Sequence, residues 1–536
     1  MAFEIKERDL AGRIGKIATK KGVLETPIFL PVINPWNNII PIEELKEKFS
    51  LKAVITNAYI IKKKLLSKGR DVFDVHEIIN FDKIIMTDSG AYQLLVYGTI
   101  DLKAEEIIRI QEKLNSDIAV ILDIPTSKDL PYKEALETVK KTLENAEVSL
   151  KAKSREDILW VGPVQGGPYE DLVELCARKM SKMDFDIYGI GGPTQFMEKY
   201  QFDELIDLVM TAKKELPIEK PIHLFGAGHP IVMPLLVAMG CDTFDSASYA
   251  LYAKDERYIT PLRTIKFSRL KYLPCNCNVC SRFEVEDLRE MERRERIKLI
   301  AEHNLSVILR EIDEIKQAIH EGSLWELIEI KAKAHPQLYK AIKKLSKYKN
   351  YLEKFDPIVK GEIKGIFYTG SEGLIRPEVT RHLMKMRENI RFPEKRILIL
   401  IPDPKEKPFS KSRYVREIMK IIKKSCHEEK INKIHECIYC IPFGVIPLEL
   451  DEVYPLSQYE AVESRNEDER EVIFNSIKEL ISQNKYSNVI FISAENIAQV
   501  IIEKLKHLCR ERKISLHIIE EKTLKKLHDI LKKVEI

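Results

Sequence analysis

The chain has 536 residues, 44% of them hydrophobic and 32% charged, with 87 Lys and Arg against 83 Asp and Glu for a formal net charge of +4. Single cores seldom grow past about 250 to 300 residues, so at least two domains are expected. The near-balance of charge excludes a uniformly basic nucleic-acid binder and leaves any such surface to a local patch.

The N-terminal stretch from Met1 to Arg8 lacks an apolar signal core. No later run approaches the roughly 18 to 20 apolar residues that a membrane helix needs, so a soluble, cytoplasmic protein without a membrane partner is expected. From there, short apolar runs follow one another at 26–33, 53–58, 83–88, 118–123, 159–165, 185–192, 222–228 and 241–245. Helical patterns lie between them, as in Ala104 to Leu114 and Tyr132 to Ala152. This alternation predicts an α/β fold, a (β/α)8 TIM-type barrel, with a doubly wound open sheet as the rival architecture.

Polar residues sit where that barrel assembles its chemistry. Asn57, Asp88, Asp123, Gln165, Gly191, Gly192 and Asp245 each follow an apolar run and would face the C-terminal mouth. Active sites in this fold are built from the ends of different strands, whereas a lone strand-end Asp is more often a helix cap. The shared placement favours a site, with Asp88 and Asp245 as its pair of carboxylates.

Further along, Pro274-Cys-Asn-Cys-Asn-Val-Cys-Ser places Cys275, Cys277 and Cys280 within six positions, and His303 follows beyond a charged helical stretch. Four soft ligands at this spacing suit one closed tetrahedral Zn2+ site, structural because no position is left for water. The alternative is unligated thiols with His303 as a solvated helix residue. Arg257, Arg263, Lys266, Arg269 and Lys271 around this module have a density suited to phosphate contact. Arg289, Arg293, Arg294 and Arg296 alternate with acids and read equally as helix-surface pairing. Gly226-Ala-Gly-His229-Pro is either a phosphate cradle or a tight turn.

The pattern changes after about residue 345. New runs begin at Gly365, Arg396, Cys437, Asn488 and Ile514 and predict a smaller α/β domain. The expected division is therefore a barrel over 1–345, with the zinc module near 275–303, and a C-terminal domain over 346–536 with an RNA-positioning or interdomain packing role. Cys437 and Cys440 have metal-type spacing but lie in an apolar run, so they are expected to be core cysteines.

The segments Thr87-Asp-Ser-Gly-Ala-Tyr-Gln, Val164-Gln-Gly-Gly, Phe225-Gly-Ala-Gly-His-Pro and Phe244-Asp-Ser-Ala-Ser-Tyr-Ala-Leu-Tyr resemble tRNA-guanine transglycosylase motifs, nearest to the archaeosine-pathway branch. The resemblance runs from about residue 1 to 340 and includes the Cys and His pattern. It implies replacement of guanine at position 15 of the tRNA D-arm by 7-cyano-7-deazaguanine, without cleavage of the RNA backbone. By that resemblance Asp245 is the nucleophile and Asp88 the general acid/base. Such roles suit the chemistry, because breaking an N-glycosidic bond creates oxocarbenium-like charge that a carboxylate captures covalently while a second carboxyl moves protons.

An enzyme acting on a base must extract it from the stack and read its edge. Ser89, Asp123, Gln165, Gly191 and Gly192 are the candidates for that edge. Tyr92 matches a position that stacks on the base in this family, with core packing as the alternative reading. The resemblance further implies a homodimer. Archaeal relatives often end in a PUA-type RNA-binding domain that is not recognised here, so a separate PUA-type partner or the C-terminal domain itself would supply that grip. Rival readings are an archaeosine synthase-like paralogue that modifies the inserted base, a non-catalytic tRNA-binding partner subunit, and a glycosidase acting on free sugars. Retention of both aspartates argues against the first and the zinc module against the last.

Overall fold

The computed structural model describes residues 3–66, 74–91, 103–360, 365–388, 390–462, 467–494 and 499–535. Two compact units emerge, Met1–Tyr348 with Phe355–Glu362, and Lys349–Lys354 with Ile363–Ile536.

The first unit opens with an antiparallel meander of β1 (Phe3–Asp9), β2 (Gly12–Thr19) and β3 (Gly22–Thr26). These strands carry no continuous apolar run because they alternate, with Glu4 and Lys16 exposed between inward residues. Phe3, Ile17 and Leu24 of the meander join one cluster with Leu30, Ile55, Met86, Val120 and Ile187, so the meander packs beneath the barrel that follows.

Among the described residues, the barrel consists of β4 (Ile28–Pro31), β5 (Ala53–Asn57), β6 (Ile84–Asp88), β7 (Ile118–Val120), β8 (Leu159–Val164), β9 (Ile187–Ile190), β10 (Ile222–Leu224) and β11 (Thr243–Ser246). Each strand pairs in parallel with its neighbour, and β11 pairs with β4. A parallel bridge between Val32 and Ile55, with Ile33 N–H donating to Ile55 O at 2.9 Å, joins the end of β4 to β5. That bridge distinguishes a ring from the open sheet, which would leave two edges. Runs such as Ile118-Ala-Val are buried throughout, as strands covered on both faces require.

The helices supply the outer layer. Tyr132–Ala152 buries Ala135, Val139, Leu143, Ala146 and Ser149, a stripe at three- and four-residue spacing that lies against the barrel. At the opposite end from the mouth, Arg13 donates to both Asp242 oxygens at 2.7 and 2.6 Å, and both side chains are buried. Asp242 also accepts from Ile222 N–H at 2.7 Å, which fixes the start of β10 against β11.

Residues Phe355–Glu362 return to the first unit, beyond the boundary expected at 345. The reason is polar: Asp356 accepts from Leu10 N–H at 2.9 Å, and Lys360 pairs with buried Asp9 at 2.6 Å. A short hairpin of β12 (Arg257–Ile259) and β13 (Thr264–Lys266) follows the barrel and leads into the cysteine segment.

The second unit is α/β. A small pair of β14 (Ile366–Tyr368) and β18 (Tyr459–Ala461) accompanies a sheet of β15 (Ile397–Pro402), β16 (Ile434–Cys440), β17 (Gly444–Pro447), β19 (Asn488–Ser493) and β20 (Ser515–Glu520). Its order is β17-β16-β15-β19-β20, and β17 is antiparallel to β16. Cys437 packs with Leu398, Leu400 and Phe491, whereas Cys440 packs with Ile399, Phe409 and Phe443. The two thiols thus lie on opposite faces of β16 and do not form a ligand pair. Among the described residues no helix is long and apolar enough to cross a membrane.

Candidate active site and metal centre

The polar residues singled out from the sequence converge on the C-terminal end of the barrel. Asp88 is the last residue of β6, and its Oδ2 accepts from Gly90 N–H at 3.1 Å and from Asn57 Nδ2 at 3.4 Å. Burial pushes the Asp88 carboxyl up to about 7, and the neighbouring carboxylates of Asp123 and Asp245 reinforce the rise against the backbone donors of Gly90 and Ser89. That mutual influence places the three carboxyls in one mouth. Burial also pushes Asp123 up to about 6, opposed by a 2.5 Å hydrogen bond from Gln165 Nε2.

Gln165 is held in turn by Thr126 N–H, which donates to its Oε1 at 3.1 Å. This fixes the amide with its NH2 toward Asp123, forming a paired donor and acceptor at the floor of the mouth. Ser89 is fully buried, and its Oγ has no partner among the described residues. An unsatisfied hydroxyl of this kind is a feature a bound polar ligand would complete.

The glycines have separate reasons. A Cβ at Gly191 would lie 2.2 Å from Gln165 Nε2, so only glycine leaves room for that amide. The Gly191 N–H donates to Val164 O at 2.9 Å. Gly192 has φ +80° and starts the helix Pro193–Glu198, a left-handed position suited to glycine. Tyr92 lies outside the described residues.

Asp245 sits on β11. Its Oδ1 accepts from Gly226 N–H at 2.8 Å and from His223 Nε2 at 3.1 Å. Gly226, with φ +70°, turns its amide onto the carboxylate, so this part of the Gly226-Ala-Gly-His229 segment is a tight turn serving Asp245. His229 Nδ1 accepts from Ile231 N–H at 3.3 Å while Nε2 meets Thr264 Oγ1 at 3.0 Å. Burial pushes the His229 imidazole down to about 4, which keeps it neutral in this structural role. His223 and the Gly226 amide thus join the site without having been assigned to it from sequence, and Asn57, expected at the mouth, gains a specific partner in Asp88.

The four soft residues form a separate centre. The ligand atoms of Cys275, Cys277, Cys280 and His303 all lie within 4.8 Å of one another. Cys277 and Cys280 Sγ are 3.6 Å apart, and each is 3.4 Å from His303 Nδ1. Tetrahedral zinc bonds of about 2.3 Å to sulfur and about 2.0 to 2.1 Å to nitrogen imply edges of about 3.8 and about 3.6 Å. The residues therefore fit a metal ion of this kind. His303 Nε2 donates to Ile259 O at 2.8 Å, which leaves Nδ1 as the ligand atom, and the Tyr258 ring stacks on the imidazole at 3.6 Å. These groups tie the helix Arg293–Glu321 to β12 and the cysteine segment.

The basic residues divide into two sets. Arg263, Lys266, Arg269 and Lys271 are exposed, alongside Tyr272, which is 71% exposed. Arg257 is half-buried, stacking over Tyr252 at 4.1 Å and pairing with Asp255 at 2.9 Å. Beyond the cysteines, Arg289 donates to Leu270 O at 2.6 Å, Arg293 to Lys254 O at 3.1 Å and Arg296 to Glu256 at 2.9 and 2.7 Å. Those three guanidiniums hold the fold together, and Arg294 remains exposed.

A parallel barrel with a carboxyl raised toward neutrality in the same mouth as a second, hydrogen-bonded carboxylate suits the class of enzymes that work on a glycosidic bond through paired acids. Residues 9–337 match the family model described as queuine tRNA-ribosyltransferase, and residues 379–531 match a domain of unknown function. The chain is 41% identical over 502 residues to the tRNA-guanine(15) transglycosylase of Sulfolobus acidocaldarius, covering 93% of this chain and 96% of the relative. Similar figures hold for proteins of the same name from Pyrobaculum aerophilum, 43% over 86% and 90%, and Saccharolobus solfataricus, 42% over 92% and 97%. The chain belongs to the tRNA-guanine transglycosylase family, a family of tRNA ribosyltransferases.

Proposed function

We propose that this enzyme exchanges guanine at position 15 of tRNA for 7-cyano-7-deazaguanine through a covalent ribosyl ester on Asp245. The relatives named as tRNA-guanine(15) transglycosylases support the position. The observation that carries the chemistry is Asp88, pushed up to about 7, in one mouth with Asp245, whose Oδ1 is held by two donors while Oδ2 has no partner among the described residues.

Asp245 Oδ2 attacks C1′ of the ribose, the C1′–N9 bond breaks, and its electron pair leaves with guanine. Protonated Asp88 supplies the departing base with a proton and then, as carboxylate, takes one from the incoming deazapurine. A carboxyl titrating near 7 is suited to both directions at neutral pH. The incoming nitrogen attacks C1′, the C1′–Oδ2 bond breaks, and the pair returns to Asp245. Two displacements retain configuration.

Asp123 and Gln165 read the base edge, with the carboxylate accepting from N–H groups and the amide donating to the carbonyl. Ser89 Oγ supplies a further contact. The same reading has Tyr92 stacking on the base and Gly192 bordering it. Guanine and its 7-deaza analogue share a donor edge, so one pocket serves both.

Cys275, Cys277, Cys280 and His303 would hold zinc in a structural role, leaving no position for a reactive water. The exposed set from Arg263 to Lys271 contacts tRNA phosphates. In the second unit the helix Arg413–Ser425 buries Val415, Ile418 and Ile422 and exposes Arg413, Arg416, Lys420, Lys423 and Lys424, which supports an RNA-positioning role. Family resemblance adds a homodimer, a cytoplasmic setting and a PUA-type partner to this reading.

The test is nucleoside mass spectrometry of an unmodified tRNA transcript after incubation with the purified protein and 7-cyano-7-deazaguanine, beside Asp245→Ala. Incorporation with the wild type alone supports base exchange. Binding of tRNA without incorporation moves the assignment to the base-modifying paralogue or to a partner-dependent enzyme.

A further inference from the structure

His223 occupies the middle of β10 and is fully buried. Register aligns it with Thr243 on β11, two residues before Asp245, so Thr243 and Asp245 share the strand face that meets the imidazole. Nδ1 lies 2.9 Å from Thr243 Oγ1, and Nε2 lies 3.1 Å from Asp245 Oδ1. An ionised carboxylate only accepts hydrogen bonds, so Nε2 carries the proton and the Thr243 hydroxyl addresses Nδ1. The Phe225 ring meets the imidazole edge-on at 4.5 Å and limits its rotation.

We propose that His223 is a positioning residue that fixes which oxygen of Asp245 reacts and sets the balance between the two displacements. The inference rests on Asp245 as the nucleophile. Both donors, His223 Nε2–H and Gly226 N–H, reach Oδ1. In the ribosyl ester Oδ1 is the carbonyl oxygen and Oδ2 the ester oxygen. Negative charge leaves the carboxylate as the C1′–Oδ2 bond forms and returns as the incoming base breaks that bond. Donors at Oδ1 stabilise the charged carboxylate more than the neutral ester, so they favour ester breakdown over ester formation. A carboxylate lacking one of these donors still attacks C1′ but is a poorer leaving group.

The consequence is directional. His223→Phe keeps a ring of similar size and removes the donor. Turnover should fall by about 10- to 100-fold, the factor expected for a lost hydrogen bond to a charged group. The fraction of enzyme trapped as tRNA adduct during steady-state exchange should rise. His223→Gln, whose amide reaches toward the Nε2 position, should recover part of the turnover and lower the adduct fraction. Thr243→Val leaves the imidazole in place without its hydroxyl partner and should shift both readouts in the same direction as His223→Phe, by less.

The experiment is acid quench of full-length protein turning over with tRNA and free guanine, with adduct resolved on a denaturing gel beside the exchange rate. Melting temperature and metal content of each variant serve as folding controls. If His223→Phe does not fold, the His223→Gln and Thr243→Val pair carries the test. Turnover and adduct falling together, or neither changing, would overturn the proposal. Absence of an Asp245-dependent adduct in the wild type would instead overturn the nucleophile assignment, so the two failures are distinct.

Discussion

Replacing Asp88 by Asn should abolish exchange and yet make the protein more stable above neutral pH. The carboxyl is pushed from 3.8 up to about 7, chiefly by burial, with Asp123 and Asp245 adding repulsion. Between those two values the folded state holds a proton that the unfolded chain releases, so ionisation progressively opposes folding as pH rises from about 4 to about 7. A tenfold difference in proton affinity between the two states is worth about 1.4 kcal/mol, which gives an upper bound of about 4 kcal/mol above pH 7. The residue is only half-buried at a solvent-facing mouth, and screening there reduces the expected penalty to about 1 to 2 kcal/mol. Asn removes the charge and keeps the shape and the capacity to accept from Gly90 N–H. At about 2 °C per kcal/mol for a domain of this size, Asp88→Asn should melt about 2 to 4 °C above wild type at pH 8, with the difference vanishing toward pH 4. Differential scanning calorimetry of both proteins across that range reads the effect. A gain that does not depend on pH, or a loss at pH 8, would show that Asp88 is not held against its own ionisation.

Other perturbations address other parts of the molecule. Cys280→Ser, or chelation of the wild type, should release one zinc per chain by native mass spectrometry and expose the segment around 275–303 to protease; loss of exchange with an unchanged melting temperature would contradict a structural metal. Arg13→Met leaves buried Asp242 without its bidentate partner and should lower the unfolding free energy by about 3 to 5 kcal/mol in denaturant titration, so a change under about 1 kcal/mol would contradict the ion pair's role. Gly191→Ala drives a Cβ to 2.2 Å from Gln165 Nε2 and should raise KM for the free base about 5- to 30-fold with KM for tRNA little changed, and an unaltered base KM would remove Gln165 from the pocket.

The barrel could be read from sequence because its strands are covered on both faces and spell continuous apolar runs such as Ile84-Ile-Met and Ile118-Ala-Val. Strands β1 to β3 escape such a reading because only alternate side chains turn inward, and lysines and glutamates interrupt them. The cysteine and histidine cluster was legible because its three thiols are local in sequence, and the helical stretch before His303 brings the imidazole to them. Asp88 and Asp245 announced themselves at strand ends. His223 did not, since its contact with Asp245 depends on the register of two strands 20 residues apart along the chain. Sequence divided the arginines only in part: the acids beside Arg289, Arg293 and Arg296 suggested pairing, but not that the Leu270 and Lys254 carbonyls and the Glu256 carboxylate hold them. The domain boundary moved for a similar reason, because the Lys360–Asp9 pair joins residues 351 positions apart.

In the proposed mechanism Asp245 becomes covalently attached to the ribose while Asp88 moves protons. The most direct measurement is peptide mass spectrometry of the enzyme quenched during exchange with tRNA and digested with nuclease and protease. The expected result is a ribosyl mass on the peptide containing Asp245, absent from Asp245→Asn. A ribosyl mass on Asp88, or an adduct that persists in Asp245→Asn, would contradict the claim and exchange the two roles.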